Sequence, residues 1–267
     1  MTRRPLILLA VLAIVFIGGY VAYDQFLRGD EVPPLTLPSS SPTDATPSAT
    51  GSSEPSSSPT GTGTQGELAG EWTVTDGSIV GYRVRETLAS LPAQSDAVGR
   101  TEDVTGQVTI VESGGVHSVT AATLQVDLTR LTSDDGRRDR RLRELGIETN
   151  RFPTTRFTLT RPVAIPAEGL TGATVDVTLT GDLDLHGVTK NVTIPSQARV
   201  AGDEIEVLGS LTFPFSDFAI EPPNIAGFVT VEDEGTLEFL VSLARGWPVG
   251  AESGLQSSGF CGRLPQP

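Results

Sequence analysis

Between Val175 and Leu185 every second residue is apolar or glycine: Val175, Val177, Leu179, Gly181, Leu183 and Leu185 alternate with polar neighbours. A period of two held that long is extended chain with one buried and one wet face. The same period runs through Val104, Gly106, Val108 and Ile110, and through Leu124, Val126 and Leu128. It returns at Val188, Val192 and Ile194 after a His-Gly turn, then at Leu211, Phe213 and Phe215, and at Leu237, Phe239, Val241 and Leu243. Long strands joined by Gly-containing turns predict an antiparallel, all-β domain. A sheet of about eight such strands leaves two raw edges unless it closes on itself. Closed at eight, it leaves an interior that can hold one small ligand. A two-sheet sandwich fits the alternation equally well.

One segment departs from the strand pattern. Asp134 and Asp135 are good helix starters. Leu142 and Leu145 then share one face, Arg137, Arg138, Arg140, Arg141 and Arg143 cover the rest, and Gly146 stops the turn. The expectation is one short helix laid over an end of the sheet, with its arginines in water.

Composition divides the chain into four regions. Residues 1–31 carry Arg3 and Arg4 ahead of an uncharged run from Pro5 to Tyr23. That run matches the roughly 20 apolar residues needed to cross a bilayer core. Positive residues on its N-terminal side predict that the rest of the chain faces outward. A cleaved signal peptide has a shorter apolar core. Around Tyr20, Tyr23, Asp24 and Phe26 there is no small-x-small cleavage site and no cysteine for a lipid anchor. The expectation is an uncleaved signal-anchor: a single-pass transmembrane helix in the cell membrane, with the C-terminal domain extracytoplasmic. Residues 32–66 are Pro, Ser, Thr and Gly without an aromatic, and read as a disordered linker. Extended, such a linker reaches on the order of 100 Å, and as a coil about 30 Å. Residues 67–245 form one domain, and 246–267 a loosely ordered tail.

Several chemistries have no foothold. The net charge of −14 disfavours nucleic acid, which is bound through a lysine and arginine surplus. Cys261 is the only cysteine, so no internal disulfide exists. Two histidines, His117 and His186, without a cysteine partner make a zinc site unexpected, and no metal or cofactor is expected. His186 reads as a turn-stabilising residue bonded to nearby backbone. Asp182 and Asp184 lie opposite Leu183, hence toward solvent. The sequon Asn191-Val192-Thr193 sits inside a strand. No nucleophile elbow or phosphate loop occurs, so the chain is not expected to be an enzyme and no catalytic residue is assigned.

The chain resembles the YceI-like family of polyisoprenoid-binding domains over about residues 70–244. The resemblance rests on four blocks. Trp72, Asp76 and Ser78 match the opening segment. Thr132, Arg138-Asp139, Leu142, Phe152-Pro153 and Phe157 match the middle. Gly181, Leu183, His186, Gly187, Val188, Thr189 and Lys190 match the next block almost letter for letter, and Ser216, Asp217 and Phe218 match the last. The chain departs from the pattern at Arg141, where the family has His, around Ile147, at Phe215, and in a connection from Glu86 to Asp103 that reads as a lengthened loop.

The resemblance implies an eight-stranded antiparallel, lipocalin-like barrel with one short helix, preceded here by the transmembrane helix. It implies a polyisoprenoid, quinone or similar amphiphile held in an apolar tunnel, and a homodimer as one expected assembly. The ligand wall is expected to include Phe157, Leu159, Leu179, Leu183, Phe213, Phe215, Phe218, Phe239 and Val241. The alternative is a non-catalytic extracytoplasmic interaction or structural module whose barrel is filled by its own side chains.

Overall fold

The computed structural model describes residues 32–38, 68–88, 94–222 and 229–245. The apolar run Pro5–Tyr23, most of the linker, and the tail with Cys261 lie outside these residues. Among the described residues no helix is long and apolar enough to cross a membrane.

The domain is a closed barrel of eight antiparallel staves. Two staves are each made of two strands. The first joins β1 (Gly70–Val74) to β2 (Ile79–Leu88), and the second joins β3 (Gln94–Thr101) to β4 (Val104–Ser113). Then come β5 (Val116–Asp127), β6 (Thr132–Ser133), β7 (Thr154–Leu159), β8 (Val163–Ala164), β9 (Val175–Leu185), β10 (Val188–Ala201), β11 (Glu204–Pro214), β12 (Val229–Val231) and β13 (Glu234–Arg245). Six of these, β5, β7, β9, β10, β11 and β13, complete the ring, and the short β6, β8 and β12 add to β3, β5 and β2. Closure is made by β1 on β13, with Trp72 opposite Arg245 and Val74 opposite Leu243. The alternation read from sequence thus closes into a barrel, not a sandwich, and no raw edge is left between first and last strands.

The first stave breaks at Thr75–Ser78, and side chains mend the break. Thr75 N–H donates to the Ser242 carbonyl at 2.9 Å. The Ser78 hydroxyl donates to the Thr75 carbonyl at 2.8 Å and accepts the Ser242 N–H at 3.0 Å. Ser78 is thereby buried yet fully bonded, as a buried hydroxyl must be. Below it, Trp72 is buried, its Nε1–H donating to the Leu68 carbonyl at 2.9 Å.

The connection from Glu86 to Asp103, which reads as a long loop in the sequence, is mostly strand. Residues 79–88 and 94–101 pair as a hairpin, with Tyr82 opposite Gly99 and Val84 opposite Ala97. The alternation was hidden because the inward positions of β3 are small. A Cβ on Gly99 would stand 2.4 Å from the Tyr82 ring, so the glycine makes room for the ring.

Among the described residues the one α-helix, α1, spans Gly136–Glu144. Asp135 caps it, its carboxylate accepting the Arg137 N–H at 2.7 Å. Leu142 turns toward the barrel, but Leu145 is exposed. The helix has ended by then: Leu145 is extended (φ −137°) and Gly146 comes next at φ +76°, so the two leucines no longer share a face.

Val32–Pro38, which the sequence places within the linker, lies against the outer wall of the barrel. The carbonyls of Val32, Pro33 and Pro38 accept from Arg83 (2.9 Å), Arg100 (2.6 Å) and Arg199 (2.6 Å).

Candidate functional site

The inward positions of the staves enclose three cavities in series. The lower one, about 100 Å³, lies among Val108, Ile110, Leu159, Val175, Val207 and Leu243. Its only charged neighbour, Arg199, sends its guanidinium outward to Glu206 and Pro38. The middle one, about 50 Å³, shares Leu124, Phe157, Leu179, Phe239 and Val241 with the lower. The upper one, about 130 Å³, shares Val80, Thr155 and Leu237 with the middle and is roofed by Leu142 and Ile147. The middle cavity, the smallest of the three, is therefore a waist, and it shares wall residues with both of the others.

Glycines set the shape of the waist. A Cβ on Gly181 would meet the Phe157 ring at 2.4 Å, and one on Gly209 would meet the Phe239 ring at 2.5 Å. Each ring thus fills the space that a side chain at a glycine of a neighbouring strand would take. Any other residue there would push the ring into the lumen or off the wall.

The upper cavity alone has an ion pair and an unbonded hydroxyl in its wall. Arg138 reaches in from α1 and its Nη2 donates to Glu86 Oε1 at 2.6 Å, with a second bond to Asp134. Arg138 is thus not the solvated residue that the arginine run suggests, whereas Arg137, Arg140, Arg141 and Arg143 are exposed. Burial works against its charge, but hydrogen bonding to and attraction by Glu86, joined by Asp134, outweigh that and raise its pKa. The Tyr82 hydroxyl is buried beside this pair without a partner among the described residues. Burial pushes the phenol well above the ordinary tyrosine range, only partly opposed by Arg138, so it keeps its proton and is an unused donor. Thr155, by contrast, is satisfied by the Asp184 carbonyl at 2.7 Å.

His186 ties the segments around the upper cavity together. Its Nδ1 lies 3.0 Å from the Phe218 carbonyl oxygen and its Nε2 2.9 Å from Glu148 Oε2. Its ring packs on Phe152 at 4.4 Å between centroids. It sits at φ +54°, and a Cβ on the next residue, Gly187, would strike Phe152 at 2.7 Å. His186 does sit in the turn, but the nearby backbone partner expected from sequence is not what it bonds: its partners are the Phe218 carbonyl, 32 residues on, and the Glu148 carboxylate, 38 residues back. His186→Ala is expected to cost about 1–2 kcal/mol in urea unfolding, because a buried acceptor loses its donor. An unchanged midpoint would mean that the knot adds no stability.

Of the residues expected to form the ligand wall, Leu159 faces the lower cavity, Phe157, Leu179, Phe239 and Val241 the lower and middle, Leu183 the middle, and Phe213 and Phe215 the upper. Phe218 faces none of these; it is 1% exposed and packs edge-on against Phe213 at 5.0 Å. The polar set Tyr82, Glu86 and Arg138 was not among the expected residues. Among the described residues no group of His, Cys, Asp or Glu could hold a metal. Asp182 faces outward and accepts from Asn191 Nδ2 at 2.8 Å.

Family comparison matches the YceI-like domain over residues 72–243, well over half of the sequence. The chain belongs to this family. No curated protein matches it. Among solved structures, a polyisoprenoid binding domain from Saccharophagus degradans, implicated in plant cell wall breakdown, is similar at 17% identity and TM-score 0.50, over 66% of this chain and 98% of that one. BcnA of Burkholderia cenocepacia is similar at 18% identity, TM-score 0.46, over 62% and 95%. The YCEI protein of Campylobacter jejuni is similar at 14% identity, TM-score 0.44, over 56% and 85%. Likeness at this identity speaks to the fold alone.

The YceI-like blocks now have physical roles. Trp72 and Ser78 close the barrel and mend its broken stave. Arg138 enters the upper cavity, and Leu142 roofs it. Gly181 makes room for Phe157. His186 knots the turn, and Lys190 Nζ donates to Asp217 at 2.6 Å, holding the 3₁₀ turn Phe215–Phe218 against β10.

Proposed function

We propose that this chain is a membrane-anchored extracytoplasmic carrier that holds a polyisoprenoid, quinone or similar amphiphile inside the barrel. The observation that carries the reading is the series of apolar cavities along the barrel, with an ion pair and an unbonded hydroxyl at one end. A branched C5-repeat chain is all apolar surface, and burying it yields about 25 cal/mol per Å². Such a ligand needs a lined channel and a few polar groups for its head. In this reading the tail occupies the waist after Phe157, Phe239 and Leu179 shift, and the head meets Tyr82, Glu86 and Arg138. Family membership and the polyisoprenoid binding of the Saccharophagus degradans domain support the same ligand class. Anchoring rests on the uncharged run Pro5–Tyr23 behind Arg3 and Arg4.

The narrow waist favours a second reading, a barrel closed by its own side chains and displayed for partners. One experiment separates the two. The full chain, purified in mild detergent from its own host, is subjected to native mass spectrometry and then to organic extraction. A bound mass in regular C5 increments is expected. Leu179→Trp, which fills the waist from the wall shared by two cavities, is expected to lower that occupancy at least tenfold, equivalent to about 1.4 kcal/mol of binding. An empty wild-type barrel that also refuses added isoprenoid would overturn the carrier reading and favour the filled barrel.

A further inference from the structure

Three arginines on the outer wall, far apart in sequence, all point at one short segment. Arg100 on β3 and Arg83 on β2 hold the carbonyls of Pro33 and Val32, and Arg199 on β10 holds that of Pro38. The strands β3, β2, β13, β11 and β10 are consecutive neighbours, so Val32–Pro38 crosses five of them. Strands lie about 4.8 Å apart, which makes the crossing roughly 19 Å. Seven residues of polyproline-type chain at about 3.1 Å each cover that distance.

The wall is built for this segment. Each guanidinium is held by a carboxylate. Arg83 lies 3.1 Å from Asp96, Arg100 lies 2.7 Å from Glu238, and Arg199 pairs with Glu206. Glu238 and Glu206 are 5% and 8% exposed. The paired arginines keep N–H groups to spare and offer only donors. The segment Val-Pro-Pro-Leu-Thr-Leu-Pro is their complement, since its three prolines have carbonyls but no N–H. Val32, Leu35 and Leu37 are half-buried while Pro33, Pro34, Thr36 and Pro38 are exposed. Leu35 and Pro34 border a groove of about 430 Å³ with Pro195, Leu208 and Glu238.

We infer that this face is a docking site for the chain's own Val32–Pro38, and that docking turns the apparent long tether into a short one. The second half rests on the membrane anchor of the proposed function. Residues 24–31, eight in number, separate the apolar run from the docked segment. Fully extended they reach about 30 Å, and as a coil roughly 16 Å. Pro38 and Leu68 both lie at the barrel, so the length of chain between them adds no reach. The barrel rides close to the bilayer, whereas residues 24–67 as one free coil would hold it roughly 36 Å away. The acidic net charge does not prevent this, because at physiological salt charge repulsion is screened within about 8 Å.

The test uses the full chain with Cys261→Ser in lipid vesicles carrying an acceptor dye on their headgroups. A donor dye on Thr193→Cys, exposed on β10 of the same face, reports the distance to the bilayer. A nitroxide on Thr36→Cys, in a separate sample, reports whether the segment is held. Restricted nitroxide motion is expected. Replacing residues 32–38 with Gly and Ser of equal length is expected to cut energy transfer at least twofold. Equal transfer from both chains would overturn the short tether, and free nitroxide motion would overturn the docking. If the chain does not float with vesicles, the anchor and the short tether fall together, while the nitroxide still decides the docking.

Discussion

Arg138→Met is expected to lower the unfolding free energy by about 3 kcal/mol, and Glu86→Leu in the same chain to restore most of it. Arg138 Nη2 and Glu86 Oε1 are 2.6 Å apart, and both side chains are well covered, at 22% and 10% exposure. Their surroundings in the upper cavity are Tyr82, Val84, Leu131 and Phe215. Removing one member of a buried pair leaves a desolvated charge, which costs about 3–5 kcal/mol. The lower end applies, because Arg138 retains some water access. Removing both members leaves an apolar surface of similar volume, which such sites tolerate. Urea unfolding of the two single variants and the double variant, with slopes compared to confirm a common unfolded state, measures the coupling. Additive losses would mean that the pair contributes no more than two isolated surface charges.

That ion pair also marks the limit of what the sequence shows. The strands of the barrel are legible where both faces keep to type, as in β9 and β10, whose turn falls at His186-Gly187 and whose register runs from Val188 opposite Leu185 to Ala198 opposite Val175. Alternation fails as a signal in β2 and β3. There the inward positions include Glu86, Ala97 and Gly99, because one wall must be thin where Tyr82 lies and charged where Arg138 enters. The helix is legible through its Asp135 cap, but the direction of each arginine is not. Five arginines close together look like a solvated face, and only the position of Glu86, 52 residues away, selects Arg138. The docked segment is hidden for the same reason. Its composition is that of a linker, and the arginines that hold it lie 51, 67 and 161 residues from the carbonyls they bind.

Phe157→Ala is expected to destabilise the barrel by about 3–5 kcal/mol, the usual cost of deleting a buried phenylalanine. The ring is 9% exposed and lies over Gly181, so its loss uncovers glycine backbone on the neighbouring strand as well as a void. The void joins the lower and middle cavities, since Phe157 belongs to the wall of both. Stability and ligand capacity should therefore move in opposite directions. Wild-type protein must displace the ring to admit a chain, whereas the variant has that space already. A ligand that binds only the folded state stabilises it more as its affinity and concentration rise. Added isoprenoid alcohol should raise the melting temperature of Phe157→Ala by more than it raises that of the wild type. Thermal unfolding with and without a fixed excess of the alcohol reads both effects in one series. If the variant loses stability but gains no more than the wild type from the alcohol, the waist is ordinary core, and the lower and middle cavities are not the path of a ligand.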